Sequence, residues 1–157
     1  MGIKKIAKNI LDFSINRFIE ILALSLVITG SLLLISLISF SPNDPNFIFP
    51  ENIEINNILG YRGSYVADLF FQSFGFICLL IPFTFIFNGI NIFSNKQLYL
   101  FLESLFYTIL YLILGSIFFS IYYQDAFKLY INGNGGFIGK YLETTFLSSI
   151  ISFNIQI

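Results

Sequence analysis

Three long uncharged runs, separated by segments that carry charged residues, dominate the pattern of hydrophobic and polar positions in this chain. In the middle run no charged residue lies between Asp68 and Lys96, and the residues from Leu69 to Phe87 are almost all apolar. A helix rises about 1.5 Å per residue, so roughly 20 such residues cross a hydrocarbon layer about 30 Å thick. Since lipid offers the backbone no hydrogen-bond partner, each spanning run must be helical. The pattern therefore predicts membrane-spanning helices at about residues 21–40, 65–92 and 98–122.

The segments outside these runs predict a short lead and an incomplete fourth helix. Residues 1–20 carry four Lys or Arg, with Ile and Phe at three- to four-residue spacing, which is typical of an amphipathic helix on a membrane surface. The run at 21–40 exceeds the core of about 7–15 residues in a signal peptide, and no small-residue cleavage pattern follows, so we expect an uncleaved first span. A Gly-rich loop and partial helix occupy 133–157. Because Lys140 and Glu143 lie in its first turns, it is either an interfacial helix or the beginning of a truncated last span.

Composition supports an integral membrane protein. The 157 residues are 56% hydrophobic and 11% charged, with a net charge of −1 and a mean hydropathy of +0.81. Soluble domains carry about 25% charged residues. We therefore predict an all-α integral membrane fold in one membrane-anchor domain over residues 1–157, with three complete transmembrane helices, the start of a fourth and an interfacial N-terminal helix. No basic stripe of the kind that a DNA-contacting surface requires is present in the sequence.

Lysine and arginine residues near the ends of the spans predict the orientation. The lead carries four basic residues and the short turn after the second span carries Lys96, whereas the first long loop has only Arg62 beside three acidic residues. We therefore place the N-terminus and Lys96 in the cytoplasm and the two longer loops outside. Glu103 then lies near the cytoplasmic end of the third span, where we expect it either to pair with Lys96 or to extend to the interface.

Glycine, proline and serine positions predict where the second span begins, bends and meets its neighbours. Ser64 is the expected N-cap of this helix. Pro82 removes a backbone donor and is expected to bend the helix near Cys78. Gly75 and Gly89 leave room for the close approach of a neighbouring helix.

The sequence offers no set of side chains suited to catalysis or metal binding. Histidine is absent and Cys78 is the single cysteine, so a zinc site lacks ligands and no His-dependent triad can form. Asp44 with Asn43 supplies too few oxygen ligands for calcium. A turn bracketed by Pro42 and Pro45 explains these two residues better. We therefore assign no catalytic, metal or cofactor-binding residue.

The glycine-rich segment after the third span also fails as a phosphate-binding loop. The pattern G-x-x-x-x-G-K-[ST], aligned on Gly139 and Lys140, requires a glycine at position 134 and a serine or threonine at position 141. The sequence has Asn134 and Tyr141 there. Glycines at the entrance of a helix explain the segment without a ligand.

Asp68 and Gln72 form the most distinctive polar pair within the spans. Their i, i+4 spacing places them on one face of a helix. An ionisable group inside a membrane costs several kcal/mol unless it is paired or hydrated. Because Asp68 lies about one turn from the expected outer end of its span, we favour an interfacial anchor over a helix–helix contact. The alternative function is a small transporter or channel subunit that uses both residues as a polar path.

Three segments resemble the membrane region of FtsK/SpoIIIE-type DNA translocases. Ser39–Phe47 resembles the start of that family's outer loop after the first span. Leu59–Gly75 resembles the start of its second span, Gly-x-x-Gly-x-x-x-Ala-Asp-x-x-x-Gln-x-x-Gly, and Gly135–Gly139 resembles its Gly-rich approach to the fourth span. The residues that carry these motifs are our candidate structural and interaction residues. They are Pro42, Asp44, Pro45, Gly60, Gly63, Asp68, Gln72, Gly75, Gly136 and Gly139.

This resemblance implies a multi-pass anchor in the bacterial inner membrane, at the division septum. In full-length members a linker and a cytoplasmic hexameric ATPase motor follow and move chromosomal DNA. ATP, magnesium and DNA are therefore expected only at that motor, and no cofactor is expected in residues 1–157. The implied partners of this chain are membrane lipid, further copies of itself and membrane proteins of the divisome. Because the sequence contains no Walker motif, we interpret it as a non-enzymatic anchoring domain of a larger protein or a fragment of it.

Overall fold

The computed structural model describes residues 2–45, 54–97, 99–123 and 132–147, and the described part is helical, without strands. Three helical segments of the described part, Ile6–Ile38, Gly60–Asn95 and Tyr99–Tyr122, are long and apolar enough to cross a membrane, which confirms the all-α membrane class. The helices are α1 (Ile3–Ile38), α2 (Gly60–Phe74), α3 (Leu80–Asn95), α4 (Tyr99–Tyr122) and α5 (Gly136–Leu142). A 3₁₀ helix, Gly75–Leu79, joins α2 to α3, and a π-helical segment, Glu143–Leu147, follows α5. The predicted residue 98 of the third span and residues 148–157 of the partial fourth helix lie outside the described residues.

Helix α1 joins the predicted lead and the predicted first span in one element. It is continuous over 36 residues, which corresponds to about 54 Å. This differs from the expectation of a separate interfacial helix at residues 1–20. The physical reason is that no proline interrupts the segment and that its single glycine, Gly30, is packed against α3.

Helices α1 and α3 approach each other closely at two glycines. A Cβ atom built on Gly30 would lie 2.9 Å from the carbonyl oxygen of Pro82, and one built on Gly89 would lie 2.7 Å from the carbonyl oxygen of Ala23. Real Cβ atoms essentially never come this close to other atoms, so a side chain at either glycine would push the two helices apart. The prediction that Gly89 allows close helix approach is confirmed, and Gly30 is its unpredicted counterpart on α1.

Two apolar clusters hold the bundle together, and many of the other large apolar side chains are exposed. The larger cluster joins α1, α2, the 3₁₀ helix, α3 and α4, and the smaller one joins α1 to α3. Helix α4 has the least covered surface of the three spans, as expected for a helix that faces lipid. The larger cluster contains Leu33, Leu37, Ala67, Phe71, Cys78, Ile81 and Leu112, and the smaller one contains Ile19, Ala23 and Ile92.

The second span is interrupted at Gly75. This glycine has φ 69° and ψ −150°, a combination that residues with a Cβ atom rarely adopt. The chain then makes the 3₁₀ turn, which includes Cys78, before α3 begins. The predicted position of the break is therefore confirmed, but its cause is Gly75 rather than Pro82. Pro82 lies in the first turn of α3, where proline is tolerated.

The turn between α3 and α4 lies beside the first half of α1. Lys96, with φ 55°, ends α3 and donates its backbone N–H to the carbonyl oxygen of Ile92 at 2.8 Å. The Lys96 ammonium pairs with Glu20, which also pairs with Arg17. The alternative in which Lys96 pairs with Glu103 is therefore wrong, because Glu20 on α1 lies nearer. The ion pair places the lead and the hairpin turn at the same end of the bundle, as the charge pattern predicts.

Candidate functional site

A buried polar cluster covers the C-terminus of α1 and the N-terminus of α2. We call it the polar clamp, and it consists of Ser36, Asp44, Asn57 and Ser64. All four side chains are buried. They join the end of α1, the first long loop and the start of α2, so the clamp closes the connection between the first two spans.

Asp44 is the charged centre of the polar clamp, although only 3% of its surface is exposed. Its Oδ1 atom accepts hydrogen bonds from the backbone N–H of Asn56 at 2.9 Å and from the Asn56 side-chain amide at 3.2 Å. Its Oδ2 atom accepts a hydrogen bond from the backbone N–H of Asn57 at 2.9 Å. Hydrogen bonds to a carboxylate are roughly twice as strong as neutral ones. Asp44 therefore fixes one end of the loop to the other, across 12 and 13 residues of sequence.

Asn57 connects this loop to α1. Its side-chain amide donates to the carbonyl oxygens of Ser36 at 2.9 Å and Ser39 at 3.3 Å. Its Oδ1 atom accepts the backbone N–H of Leu59 at 3.1 Å. The last carbonyl groups of a helix have no partner within the helix, so a buried helix end needs such a donor. Asn57, which is 4% exposed, is this donor for α1.

The two serines of the clamp tie α2 to the loop and to α1. Ser36 Oγ donates to the carbonyl oxygen of Gly63 at 2.6 Å, and Ser64 Oγ donates to the carbonyl oxygen of Pro45 at 2.8 Å. The prediction that Ser64 is the N-cap of α2 is therefore wrong. The helix begins four residues earlier, at Gly60, whose N–H bonds to the carbonyl oxygen of Asn57 at 2.8 Å.

The clamp brings the candidate residues of the first sequence motif together with the beginning of the second motif. Pro42 lies in a turn in which the Asp44 N–H donates to the carbonyl oxygen of Ser41 at 3.1 Å. Gly60 has φ 64° and turns the chain into α2. A Cβ atom on Gly63 would overlap the Asn57 side chain, so the glycine makes room for the amide.

A second cluster forms where the glycine-rich turn packs into the break of the second span. We call it the glycine junction, and it consists of Gly75, Asn134, Gly135, Gly136, Gly139 and Ser116. The carbonyl oxygen of Asn134 accepts the backbone N–H of Phe76 at 3.0 Å. A Cβ atom on Gly75 would overlap that same carbonyl group, and one on Gly136 would lie 2.5 Å from the backbone nitrogen of Gly75. Only glycine permits this contact between two backbones.

Helix α4 forms the other wall of the glycine junction. Ser116 Oγ donates to the carbonyl oxygen of Phe74 at 2.9 Å and so satisfies a group next to the break at Gly75. Cβ atoms on Gly135 or Gly139 would overlap the carbonyl oxygen of Ser116. The junction therefore holds α2, α4 and α5 together through backbone contacts.

Asp68 lies deeper than the sequence predicts. It is the ninth residue of α2, about 12 Å from the helix start, and only 8% of its surface is exposed. Its neighbours on the buried face of α2 are Ala67 and Phe71. This burial favours the helix–helix contact over the interfacial anchor. The Gln72 side chain is half-buried. The backbone carbonyl oxygen of Gln72 accepts a hydrogen bond from the Asn132 side-chain amide at 3.3 Å, which links α2 to the loop before the glycine junction.

Sequence reasoning missed Ser36, Asn57, Ser116 and Asn134. The signal for the two serines is a small hydroxyl residue within an uncharged run, where a donor can bond to a backbone carbonyl of another helix. Asn57 and Asn134 lie in loops whose polar character is ordinary, so the sequence gives no signal that separates them from solvated residues. Their burial becomes visible only when the helices are assembled.

The polar side chains of the two clusters form hydrogen bonds with backbone groups of the chain itself. Asp44, Asn57, Ser36, Ser64 and Ser116 all bond to main-chain groups. Among the described residues, no group of three or more His, Cys, Asp or Glu could hold a metal ion. The arrangement fixes the positions of helices, which is a structural task.

Most of the chain matches one known protein family. Residues 16–154 match the family described as the 4TM region of DNA translocase FtsK/SpoIIIE. A DNA translocase FtsK of Rickettsia bellii (strain RML369-C) is 31% identical over 87 residues. This match covers 54% of the chain but only 12% of the length of that relative. No solved structure is significantly similar to the chain.

Proposed function

Because the chain belongs to the family of 4TM regions of FtsK/SpoIIIE DNA translocases, we propose that it is the membrane anchor of such a translocase. In this role it places the cytoplasmic ATPase motor at the division septum of the inner membrane and helps it to oligomerise for chromosome segregation. ATP and magnesium act at the motor, and DNA contacts the motor alone. The observation that carries the proposal is the family match over residues 16–154, which takes in nearly all of the three spans and both polar clusters.

The way in which the polar groups are used supports an anchor. The polar clamp fixes α1 to α2, the glycine junction fixes α2 to α4 and α5, and the Lys96–Glu20 pair fixes the hairpin turn to α1. Because the helices are held to each other at both ends of the bundle, a domain attached to them keeps a defined position relative to the membrane. With the N-terminus and Lys96 in the cytoplasm, the ion pair lies on the side where the motor acts.

Lateral partners need an uncovered helix surface, and α4 offers one. Of the three spans it has the smallest buried share. Its exposed side chains include Leu102, Phe106 and Leu114. This surface suits lipid, a second copy of the chain or a membrane protein of the divisome, since helices associate in membranes chiefly through packing.

The proposal is tested with the full chain fused to a fluorescent protein in dividing bacterial cells. We expect enrichment at the septum in constricting cells and several photobleaching steps per focus, because the anchor is localised and oligomeric. A three-span membrane protein of unrelated sequence, fused in the same way, is the control for membrane accumulation at the constriction. A signal as uniform as that of the control would overturn the localisation, and single-step bleaching throughout would overturn oligomerisation.

A further inference from the structure

A groove between α1, α2 and α3 opens at the surface of the helix bundle. It encloses about 440 Å³, within the range of roughly 300–1,000 Å³ found for small-molecule sites. Most of its wall is apolar, and Leu32 and Val66 are exposed within it. The apolar lining includes Leu32 and Leu33 of α1, Val66 and Phe70 of α2, and Phe85 of α3.

Arg62 lies at one end of this groove, in the first turn of α2. Its side chain is exposed, and it forms no ion pair with another described residue. The neighbouring rings of Tyr61 and Tyr65 lie 4.4 Å apart, and their hydroxyl groups are hydrogen-bonded at 2.6 Å. Tyrosine is enriched at the level of lipid headgroups. The tyrosines next to Arg62 along α2 therefore indicate that the Arg62 end of the groove lies at the membrane interface.

The remainder of the groove runs from this interface into the apolar part of the bundle. Phe70 lies eight residues beyond Arg62 on α2, which corresponds to about 12 Å along the helix. The groove therefore has a cationic end at headgroup level and an apolar interior. This is the complement of an amphiphile with an anionic head and a hydrocarbon tail.

We propose that the groove binds one anionic glycerophospholipid, with its phosphate at Arg62 and an acyl chain against Val66 and Phe70. A guanidinium group binds phosphate oxygens through two parallel hydrogen bonds, and it remains charged at all relevant pH values. A second transmembrane helix is the other possible occupant. The lipid is favoured because Arg62, which pairs with no acidic residue among those described, can bind the phosphate that such a lipid carries and an apolar helix lacks. This inference does not depend on the proposed role in DNA translocation.

The test uses the full chain in detergent, exchanged against equal amounts of phosphatidylglycerol and phosphatidylcholine and examined by native mass spectrometry. We expect one retained lipid per chain, with phosphatidylglycerol in excess. Arg62→Gln lowers that excess about fivefold, because one basic residue near an anionic lipid contributes about that factor. Lys140→Gln removes one exposed charge on α5, outside the groove, and leaves the excess unchanged.

A second variant separates the tail from the headgroup. Val66→Trp fills the groove, so we expect it to lower retention of both lipids while the residual preference for phosphatidylglycerol persists. The proposal is overturned if Arg62→Gln and Lys140→Gln change the lipid ratio equally, or if Val66→Trp leaves retention unchanged. It is also overturned if the wild-type chain appears as a lipid-free dimer that Val66→Trp dissociates, because the groove is then a helix interface.

Discussion

Replacement of Asp44 by alanine lowers the free energy of unfolding by about 3 kcal/mol, because three N–H groups, one of them buried, lose their charged acceptor at once. The substitution also weakens hydrogen bonds at the C-terminus of α1. Asn57, which Asp44 positions, satisfies the carbonyl oxygens of Ser36 and Ser39 at the end of α1. Without the carboxylate, the amide is free to move away and the α1 C-terminus is left with unpaired groups. Denaturant titration of the purified chain in detergent measures this change.

The matched control is Glu54→Ala, which removes an exposed carboxylate from the same loop. A surface change of this kind alters stability by about 0.5 kcal/mol or less. Asp44→Asn is expected to fall between the two, because it keeps one acceptor oxygen but places an amide donor against the N–H groups. Equal unfolding midpoints for Asp44→Ala and Glu54→Ala would show that the clamp does not stabilise the bundle.

Replacement of Gly75 by alanine disrupts the packing of α5 against the second span. The residue needs φ 69° and ψ −150°, a conformation that costs a side chain of order 1–3 kcal/mol. In addition, the new methyl group would overlap the carbonyl group of Asn134, which is backbone and cannot rotate away. We therefore expect a total loss of about 4 kcal/mol or more, together with faster proteolysis after residue 123.

Gly133→Ala separates conformational strain from crowding. Gly133 also has a positive φ, 71°, but a Cβ atom there would meet nothing within 4 Å. Its replacement is expected to cost only the strain of a left-handed residue, about 1–2 kcal/mol. Comparable losses for the two variants, measured in the same unfolding assay, would contradict the close contact between the two backbones at Gly75.

The number and type of the spanning elements could be predicted because a single segment in lipid can satisfy its backbone hydrogen bonds only as a helix. The run between Asp68 and Lys96 is predicted to be helical, and the short turn after it leaves the next helix adjacent and antiparallel. The close approach at Gly89 was also predictable, since a glycine inside a spanning helix commonly marks a contact.

The contacts between distant segments could not be read from local pattern. Ser64 resembles an N-cap in sequence, but its hydroxyl group is used by the carbonyl oxygen of Pro45, 19 residues away. Lys96 has Glu103 within reach along the chain, yet it pairs with Glu20, 76 residues away. Pro82 was the obvious cause of a break, whereas the backbone of Gly75 makes the break because another glycine-rich segment enters there. Each of these contacts depends on how the helices and loops pack against each other in the folded bundle.

In the proposed topology, the first long loop and the hairpin turn at Lys96 lie on opposite sides of the membrane. It is tested most directly by labelling single cysteines at Asn43 and Gln97, both exposed, after Cys78 has been replaced by alanine. A maleimide that cannot cross the membrane should label Asn43→Cys only from the outside in spheroplasts and Gln97→Cys only in inverted vesicles. If both positions react from the same side, the three-span topology and the membrane anchor proposed from it are contradicted.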